Sequence, residues 1–515
     1  MKKIILLSIV CFQFVAAQTE FVLKKPLSKG DILFLKQQLR EYNFFEQSMN
    51  FQFQAGDFFK QKVVAEDKAF DAEEIKKLKA KLKGDCEDAA IYYDIGMAYK
   101  FNYKYEDALF YLNKSLDRAK ERTRLKPDSA SAYRKLGVVF VGLENFKEAL
   151  SAFEKACKLD KKDDYSREMK KSLPYNLGEN ATGDSLILDE IKQNPDSLCG
   201  YAALPVYYLS NIFAKLSVIP DRAKKLDLLR NKKVEDLADL SLIKNAAEKN
   251  ENEICFELIY RVSELCILMG KTVHVSFGDT GISKAPAFIL DEYDKKTLTT
   301  LTKFFESCLT NKNIPDQYVI HKSLAIIATL KTENAKAKAE IREAIKIRQL
   351  LKPNFYTNAS GEYDNLAAIY FLDKDTAGLE KILLEKTKIN PGINPAPEDF
   401  VKLAQLSFYY KKYDKAKEYA ERALSICETV AGANQCLTAI ALINNDLTGA
   451  LEPLKKEQRI APESFSFLMI GGIYSLMAND TDVAAACFQT AQQQAQDKSE
   501  IQKKFINKFL APAGK

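Results

Sequence analysis

The sequence contains no tryptophan and only two histidines, His274 and His321. A metal site built from several imidazoles is therefore excluded, and a histidine general base has only two candidates. An excess of either charge is also lacking, because 76 lysines and arginines stand against 70 aspartates and glutamates. A protein that neutralises nucleic-acid phosphates usually carries a clear basic patch. We therefore expect no nucleic-acid partner.

Sequence signatures of common catalytic sites are missing as well. Neither H-E-x-x-H nor G-x-S-x-G occurs. Residues 270–272 resemble the end of a phosphate-binding loop, but Leu265 stands where that loop requires glycine. The acidic cluster Asp160, Asp163 and Asp164 lacks the spacing of a calcium loop and is typical of a solvated helix end. The sequence thus predicts a protein that is not an enzyme and holds no cofactor or metal.

Long apolar runs are absent except at the N terminus, where residues 4–15 follow a short basic start. This run is shorter than the roughly 20 apolar residues of a transmembrane helix. The small residues at 15–17 suit a signal peptidase, so we predict a signal peptide over 1–17 and a mature chain that begins at Gln18. Val10 before Cys11 argues against a lipoprotein.

Lysine-, asparagine- and isoleucine-rich usage and the Ala-Gln junction after residue 17 resemble exported proteins of the Bacteroidetes. The predicted location is therefore the bacterial envelope, either periplasmic or associated with the outer membrane, or else the medium. No later stretch is apolar enough to predict a membrane span.

Nine cysteines remain after the predicted cleavage, and an odd number leaves at least one thiol unpaired. Cys255 and Cys266 would lie about 16 Å apart along a helix, which exceeds the reach of a disulfide. Most cysteines are expected to be small buried apolar residues, with a Cys427–Cys436 bridge as an alternative for that pair. The nine positions are 86, 157, 199, 255, 266, 308, 427, 436 and 487.

Internal repeats are the most informative feature of the chain. Residues 89–163 hold two copies of one pattern: an aromatic residue, Leu or Ile followed by Gly, a second aromatic residue, and later a small-bulky-small trio. Gly96 with Ala108, and Gly137 with Ala149, would let two antiparallel helices approach closely. The pattern resembles the tetratricopeptide repeat, whose unit is an antiparallel helix pair.

The same pattern recurs in the C-terminal part of the chain. Three clear units follow at steps of 34 residues, and two weaker ones precede them, so the predicted array spans 322–498. Residues 499–515 are predicted to be a capping helix and tail, with Ile501, Phe505 and Phe509 four residues apart. The units are 322–355, 360–393, 397–430, 431–464 and 465–498.

The predicted fold is an all-α, tetratricopeptide-type helical-hairpin solenoid, a superhelical repeat array with a degenerate middle region. Residues 18–88 form an N-terminal segment that is only partly helical. Residues 164–321 read as degenerate helical hairpins that continue the solenoid, or alternatively as a separate inserted helical domain. Alternating residues and a glycine-rich turn within 271–288 predict a hairpin or long loop that projects from the array.

The resemblance implies a binding surface as well as a fold. In tetratricopeptide proteins the second, fifth, ninth and twelfth positions of each unit face a concave groove. Here that groove is apolar with interspersed amides, which suits an extended or helical peptide from a partner. The open alternative is a groove filled by a neighbouring turn or capping helix of the same chain. The candidate groove residues are Val401, Gln405, Phe408, Gln435, Ala439, Leu442, Met469, Ile473 and Leu476.

The sequence therefore favours a non-enzymatic scaffold or adaptor of the bacterial envelope that binds a protein or peptide partner. One alternative is a cell-wall or glycan-acting enzyme, which needs only two carboxylates facing each other across the middle region. Another is a carbohydrate-binding protein with exposed aromatic residues among Tyr201, Tyr207 and Tyr208, although these three are more typical of a core. The sequence indicates no oligomeric state.

Overall fold

The computed structural model describes residues 21–45, 72–82, 88–219, 221–250, 254–277, 288–311, 314, 317–350, 360–389, 395–494 and 505–512. Within these residues the chain forms 25 α-helices and one two-stranded sheet. Consecutive helices pack mainly against each other, as in a helical-hairpin solenoid. The predicted fold class is therefore confirmed. The predicted signal peptide, residues 1–17, lies outside the described residues.

The N-terminal part begins with a short strand and a long helix and continues as helix pairs. Its elements are β1 (Phe21–Leu23), α1 (Lys29–Phe45), α2 (Ala72–Lys81), α3 (Ala89–Phe101), α4 (Tyr105–Leu125), α5 (Ala130–Gly142), α6 (Phe146–Leu159), α7 (Asp164–Asn176) and α8 (Asn180–Gln193).

The middle part contains short helices around one long helix, α14. Its elements are α9 (Leu198–Tyr201), α10 (Leu204–Ser217), α11 (Arg222–Leu229), α12 (Val234–Leu237), α13 (Ser241–Lys249), α14 (Ile254–Phe277) and α15 (Glu292–Leu309).

The C-terminal part is a regular series of five helix pairs that ends near a short strand. Its elements are α16 (Gln317–Leu330), α17 (Asn334–Leu350), α18 (Ser360–Leu372), α19 (Thr376–Lys386), α20 (Pro397–Tyr409), α21 (Tyr413–Ile426), α22 (Ala433–Ile443), α23 (Leu447–Ile460), α24 (Phe465–Met477), α25 (Thr481–Gln494) and β2 (Leu510–Pro512).

The two helices of a pair approach closely where the sequence places glycine. A Cβ atom on Gly96 would lie 2.7 Å from Cγ of Leu112, and one on Gly137 would lie 2.8 Å from the ring of Phe153. Such distances are shorter than van der Waals contact, so a side chain at either position would force the helices apart. The small residue is therefore a packing requirement of the pair.

One backbone turn recurs at the end of the first helix in seven pairs. In each, a non-glycine residue adopts a left-handed conformation with φ near 60° and lets the chain reverse into the second helix. The two weaker units of the C-terminal array contain this turn as well as the clear ones. The residues are Tyr103, Glu144, Thr332, Lys374, Lys411, Asn445 and Asn479.

The middle part shares its core with the C-terminal array. Tyr318, Leu324 and Ile327 of α16 belong to the hydrophobic cluster around α14, and Ala325 and Ala328 of the same helix belong to the next cluster. Because α16 contributes to both cores, the helices on either side of it form a continuous packed structure.

The prediction of a hairpin or loop over residues 271–288 is wrong for its first seven residues, which continue α14 to Phe277. Leu268, Lys271, Thr272 and Val275 are all at most 9% exposed and follow a helical spacing. Burial of this helical face stabilises a helix here, although the short alternation of valines suggested a strand. Residues 278–287 lie outside the described part of the chain.

Asp163 is also not the solvated residue that the sequence suggested. It is buried at the N-cap of α7, where Oδ1 accepts a hydrogen bond from the Ser166 amide at 3.2 Å. Arg134 from the preceding repeat pairs with the same carboxylate at 3.2 Å. Asp163 therefore links two helix pairs, whereas Asp160 and Asp164 are exposed as predicted.

The two ends of the described chain meet. β1 pairs antiparallel with β2, with Val22 opposite Ala511. The helical turn 505–509 precedes β2 and buries Phe505 and Phe509 against the last repeat, where Phe505 lies 5.1 Å from the ring of Phe488. These two positions of the predicted capping helix thus cover the array, and Ile501 lies outside the described residues.

Candidate functional site: the concave groove of the C-terminal repeats

The nine predicted groove residues lie on α20, α22 and α24, the first helices of the last three pairs. These three helices contact one another in succession. The seven apolar members belong to one hydrophobic cluster. None of the nine side chains is more than 5% exposed, so the surface that they line is covered.

The element that covers this surface is α1, which contacts α20, α22 and α24. Leu35 and Leu39 of α1 are fully buried in the same cluster as the groove residues. Phe34 packs against Phe505 and Phe509, with ring centroids 5.8 and 6.2 Å apart. The open alternative was a groove filled by a neighbouring turn or capping helix of the same chain. The groove is indeed filled by the same chain, but the covering element is the N-terminal helix α1.

Polar contacts hold the start and the middle of the helix that enters the groove. Ser28 Oγ donates to Asp31 Oδ2 at 2.6 Å, and the Asp31 amide donates to Ser28 Oγ at 3.1 Å, which caps α1. Hydrogen bonds from the Ser28 hydroxyl and amide lower the pKa of Asp31. Lys36 Nζ donates to the carbonyl of Ile443 at the C-terminal end of α22, where free carbonyls attract a cation.

The amide of Gln435 is committed to the fold. Its Nε2 donates to Glu457 Oε1 and to Ser464 Oγ, both at 3.1 Å. Glu457 is itself fully buried and accepts from the Gly432 amide at 2.8 Å. Gln435 therefore aligns α22 with the second helix of its unit, and it is not directed toward an incoming ligand.

Two neighbouring carboxylates of the middle region are not an open pair of the kind that a glycan hydrolase requires. Asp291 and Asp294 both accept hydrogen bonds from Lys271 Nζ, at 2.5 and 2.6 Å. Lys271 is 1% exposed and also donates to the Lys232 carbonyl. Burial raises the pKa of Asp294, although the lysine opposes that effect. This cluster is a buried ion pair that joins α14 to α15.

The three tyrosines considered for carbohydrate binding do not form an exposed platform. Tyr201 and Tyr208 are each 3% exposed in the core around α14, and Tyr207 is half-buried beside them. Tyr201 donates to the Pro195 carbonyl at 3.1 Å, and its ring packs 5.3 Å from that of Phe256. These residues are part of the core, as the sequence favoured.

A histidine and two cysteines that could carry chemistry are paired with or buried by the rest of the fold. His321 lies 2.7 Å from Glu340 through Nδ1. Cys427 and Cys436 are free thiols, so the alternative bridge between them is absent, and burial raises the pKa of Cys436 to about 12. Among the described residues, no group of three or more His, Cys, Asp or Glu side chains could hold a metal ion.

The succession of antiparallel helix pairs places the chain in the class of helical-repeat proteins. The family model of the tetratricopeptide repeat matches residues 87–162, which contain α3 to α6. This part of the chain therefore consists of tetratricopeptide repeats. No curated protein matches the chain. Within the described residues, no helix is both long and apolar enough to cross a bilayer.

Several solved structures are similar to the chain at low identity. Yeast Tom70 is 15% identical over 81% of this chain and 95% of that one, with a TM-score of 0.33. A tetratricopeptide repeat protein from Parabacteroides merdae ATCC 43184 is 12% identical over 69% and 99%, with a TM-score of 0.32. The Cut9–Hcn1 hetero-tetramer of the APC/C gives 10% identity over 84% and 85%, with a TM-score of 0.31. The fold assignment rests on the helix pairs of the chain itself.

Proposed function

We propose that the protein is a non-enzymatic interaction scaffold of the bacterial envelope whose C-terminal groove binds a helical segment of a partner protein. The observation that best supports this function is the seating of α1. An amphipathic helix lies across α20, α22 and α24 and inserts Leu35 and Leu39 among the predicted groove residues. Amphipathic helices bind protein grooves through apolar anchors of this kind, three or four residues apart.

The envelope location is supported by the N-terminal sequence alone. The apolar run of residues 4–15 and the small residues before Gln18 are typical of a cleaved secretory signal. The resemblance to exported Bacteroidetes proteins rests on the same segment and on residue usage. A mature chain that begins at Gln18 would place β1 only a few residues from its N terminus.

The test is affinity capture from the envelope fraction of the source bacterium. The bait is a full-length Leu35→Glu/Leu39→Glu variant, which should free the groove, and the matched control is Leu33→Glu. Leu33 is on the same helix but 68% exposed, so its replacement should leave α1 seated. A partner should be enriched on the double variant and displaced by a synthetic peptide of residues 29–45.

The same experiment also tests the proposed location. If the signal peptide is cleaved, the tryptic peptides of the endogenous protein in the envelope fraction should include one that begins at Gln18. If no envelope protein is both captured and displaced by the peptide, the scaffold function is wrong. If the endogenous protein retains residues 1–17 or is absent from the envelope fraction, the location is wrong.

A further inference from the structure

The N-terminal arm, defined as residues 21–45 with β1 and α1, occupies the groove differently from a repeat helix. A repeat helix packs antiparallel against the second helix of its own unit. By contrast, α1 crosses the first helices of three successive units, α20, α22 and α24. It also comes from a part of the sequence more than 350 residues away from them. Its placement is that of a ligand on a concave surface.

Over residues 29–39, the part of α1 whose side chains the structure describes, the contact surface is narrow. Of residues 29–39, only Asp31, Leu35 and Leu39 are buried, whereas ten of the thirteen residues of α24 are buried. Phe34 is half-buried between the two leucines and the C-terminal turn 505–509. The face that enters the groove therefore carries Leu35 and Leu39, four residues apart, while Phe34 packs against the C-terminal turn.

The rest of the arm is attached by a short strand pair and by Leu23 and Leu27, which are partly buried against the same C-terminal core. β1 and β2 pair over three residues each, and Lys24 adds hydrogen bonds to the backbone at Asn507 and Phe509. An isolated two-stranded sheet is marginally stable in water. Segments with few buried apolar contacts open at the low end of a protein's range of local stabilities. The arm can therefore leave while the repeat pairs stay folded.

The geometry points to an autoinhibitory arm: α1 is a built-in competitor that closes the groove. The partner is an amphipathic helix that displaces α1 and inserts two leucines four residues apart. This inference rests on the proposed function, in which the groove binds a protein helix. A tethered helix acts at an effective concentration on the order of millimolar, so it weakens the binding of any free helix. The apparent affinity is reduced by the fraction of molecules whose groove is open.

The first measurement uses the purified full-length chain and a fluorescein-labelled peptide of residues 29–45. Fluorescence anisotropy gives its dissociation constant for wild type, for Leu35→Glu/Leu39→Glu and for the control Leu33→Glu. The double variant should bind the peptide at least tenfold more tightly than wild type, and the control should bind like wild type. Equal binding by wild type and a folded double variant would overturn the inference.

A second variant removes the dependence on destabilising substitutions. Val22 and Ala511 are directly opposite in the strand pair, where antiparallel neighbours have a Cα spacing that suits a disulfide. In Val22→Cys/Ala511→Cys, oxidation should weaken peptide binding at least tenfold relative to the reduced protein. Wild type, carried through the same redox treatment, should not change. Peptide mapping verifies the bond.

The two measurements also separate this inference from the proposed function. If the double variant unfolds, the disulfide variant decides: equal binding in its two redox states, or none in either, overturns the autoinhibitory arm. If peptide binding responds as expected but no envelope protein is captured and displaced, the arm closes the groove and the scaffold function fails. If a partner is captured and displaced equally from wild type and the double variant, the function stands and autoinhibition fails.

Discussion

At the residue scale, three of the lysines that are buried in the described part of the chain each meet a carboxylate of a neighbouring helix. Lys322 pairs with Glu362 at 3.1 Å, and both side chains are 1% exposed. Removing one partner of such a pair leaves a buried charge, which typically costs about 3–5 kcal/mol. These pairs therefore fix how successive helices align. The other two sets are Lys271 with Asp291 and Asp294, and Lys386 with Asp364 and Asp399.

A lysine on a helix usually points to water, so the sequence alone gives no sign that these three lysines are buried. Only the position of the partner decides otherwise. Glu362 lies 40 residues from Lys322 along the chain, so no local pattern could have linked them. Gln435 is a similar case: its groove position is predictable, but its bond to Glu457 is not.

Gly471 and Gly472 give a matched test of close helix packing within α24. A Cβ on Gly472 would lie 2.5 Å from the Phe488 ring, whereas one on Gly471 would meet only Cys487 Sγ, at 3.6 Å. We expect Gly472→Ala to lower the free energy of unfolding by about 1–3 kcal/mol through overpacking. Gly471→Ala should be neutral or should raise it by up to about 1 kcal/mol, because alanine favours helix.

Urea denaturation followed by circular dichroism at 222 nm measures both variants. Similar effects of the two substitutions would show that the approach of α24 to α25 at Gly472 is not a packing requirement. A destabilised Gly471→Ala with an unaffected Gly472→Ala would contradict the assignment of the contact face.

At the element scale, residues 29–39 of α1 bury a smaller share of their side chains than α20, α22 and α24, the three helices that α1 crosses. Leu35 and Leu39 are fully buried in the core that α1 shares with those helices. Opening the arm therefore breaks fewer buried apolar contacts than opening a repeat pair.

Native-state hydrogen exchange should therefore release α1 before the repeats. We expect amide protection factors over residues 29–39 at least tenfold lower than those over Phe467–Leu476, because few contacts must break to open the arm. Mass-spectrometric exchange of the intact chain resolves the two regions. Equal protection of α1 and α24 would mean that the arm and the array open as one cooperative unit.

The amphipathic spacing of α1 is visible in the sequence: Ile32, Leu35 and Leu39 follow a helical period. The predictable part was thus that this segment is a helix with an apolar face. The surface against which this helix packs was not predictable, because any other apolar face in the chain could have been its packing partner. The C-terminal turn 505–509 is different, because a cap lies next to its own last repeat.

At the scale of the whole molecule, the first repeat pair touches the C-terminal array. Tyr103, in the turn between α3 and α4, packs against the core cluster of the last three units. Burial, with Glu398 nearby, raises the pKa of Tyr103. Burial and the neighbouring Cys427 and Glu398 raise the pKa of Tyr105 to about 12. Together with the pairing of β1 and β2, this contact makes the two ends of the solenoid meet.

Replacing Tyr103 by glutamate should open this contact, because a charge would be placed beside Glu398 in a partly buried site. We expect a larger radius of gyration by small-angle X-ray scattering, with helicity unchanged. Phe110→Glu is the matched control, since Phe110 on α4 is 56% exposed and its replacement should leave the radius as in wild type. An unchanged radius for both variants would show that the contact does not determine the overall shape.

The sequence by itself determined the elements: helix pairs with glycine or alanine at their seams, a 34-residue period in the C-terminal array, and a set of first-helix positions that share one face. These features depend on local spacing, and helical periodicity fixes which residues meet within a pair. The tertiary structure decided that the shared face is covered, that the covering helix is α1, and that residues 271–277 are helix rather than loop. Each of these outcomes depends on contacts between residues far apart in the chain, whose energies no local pattern contains.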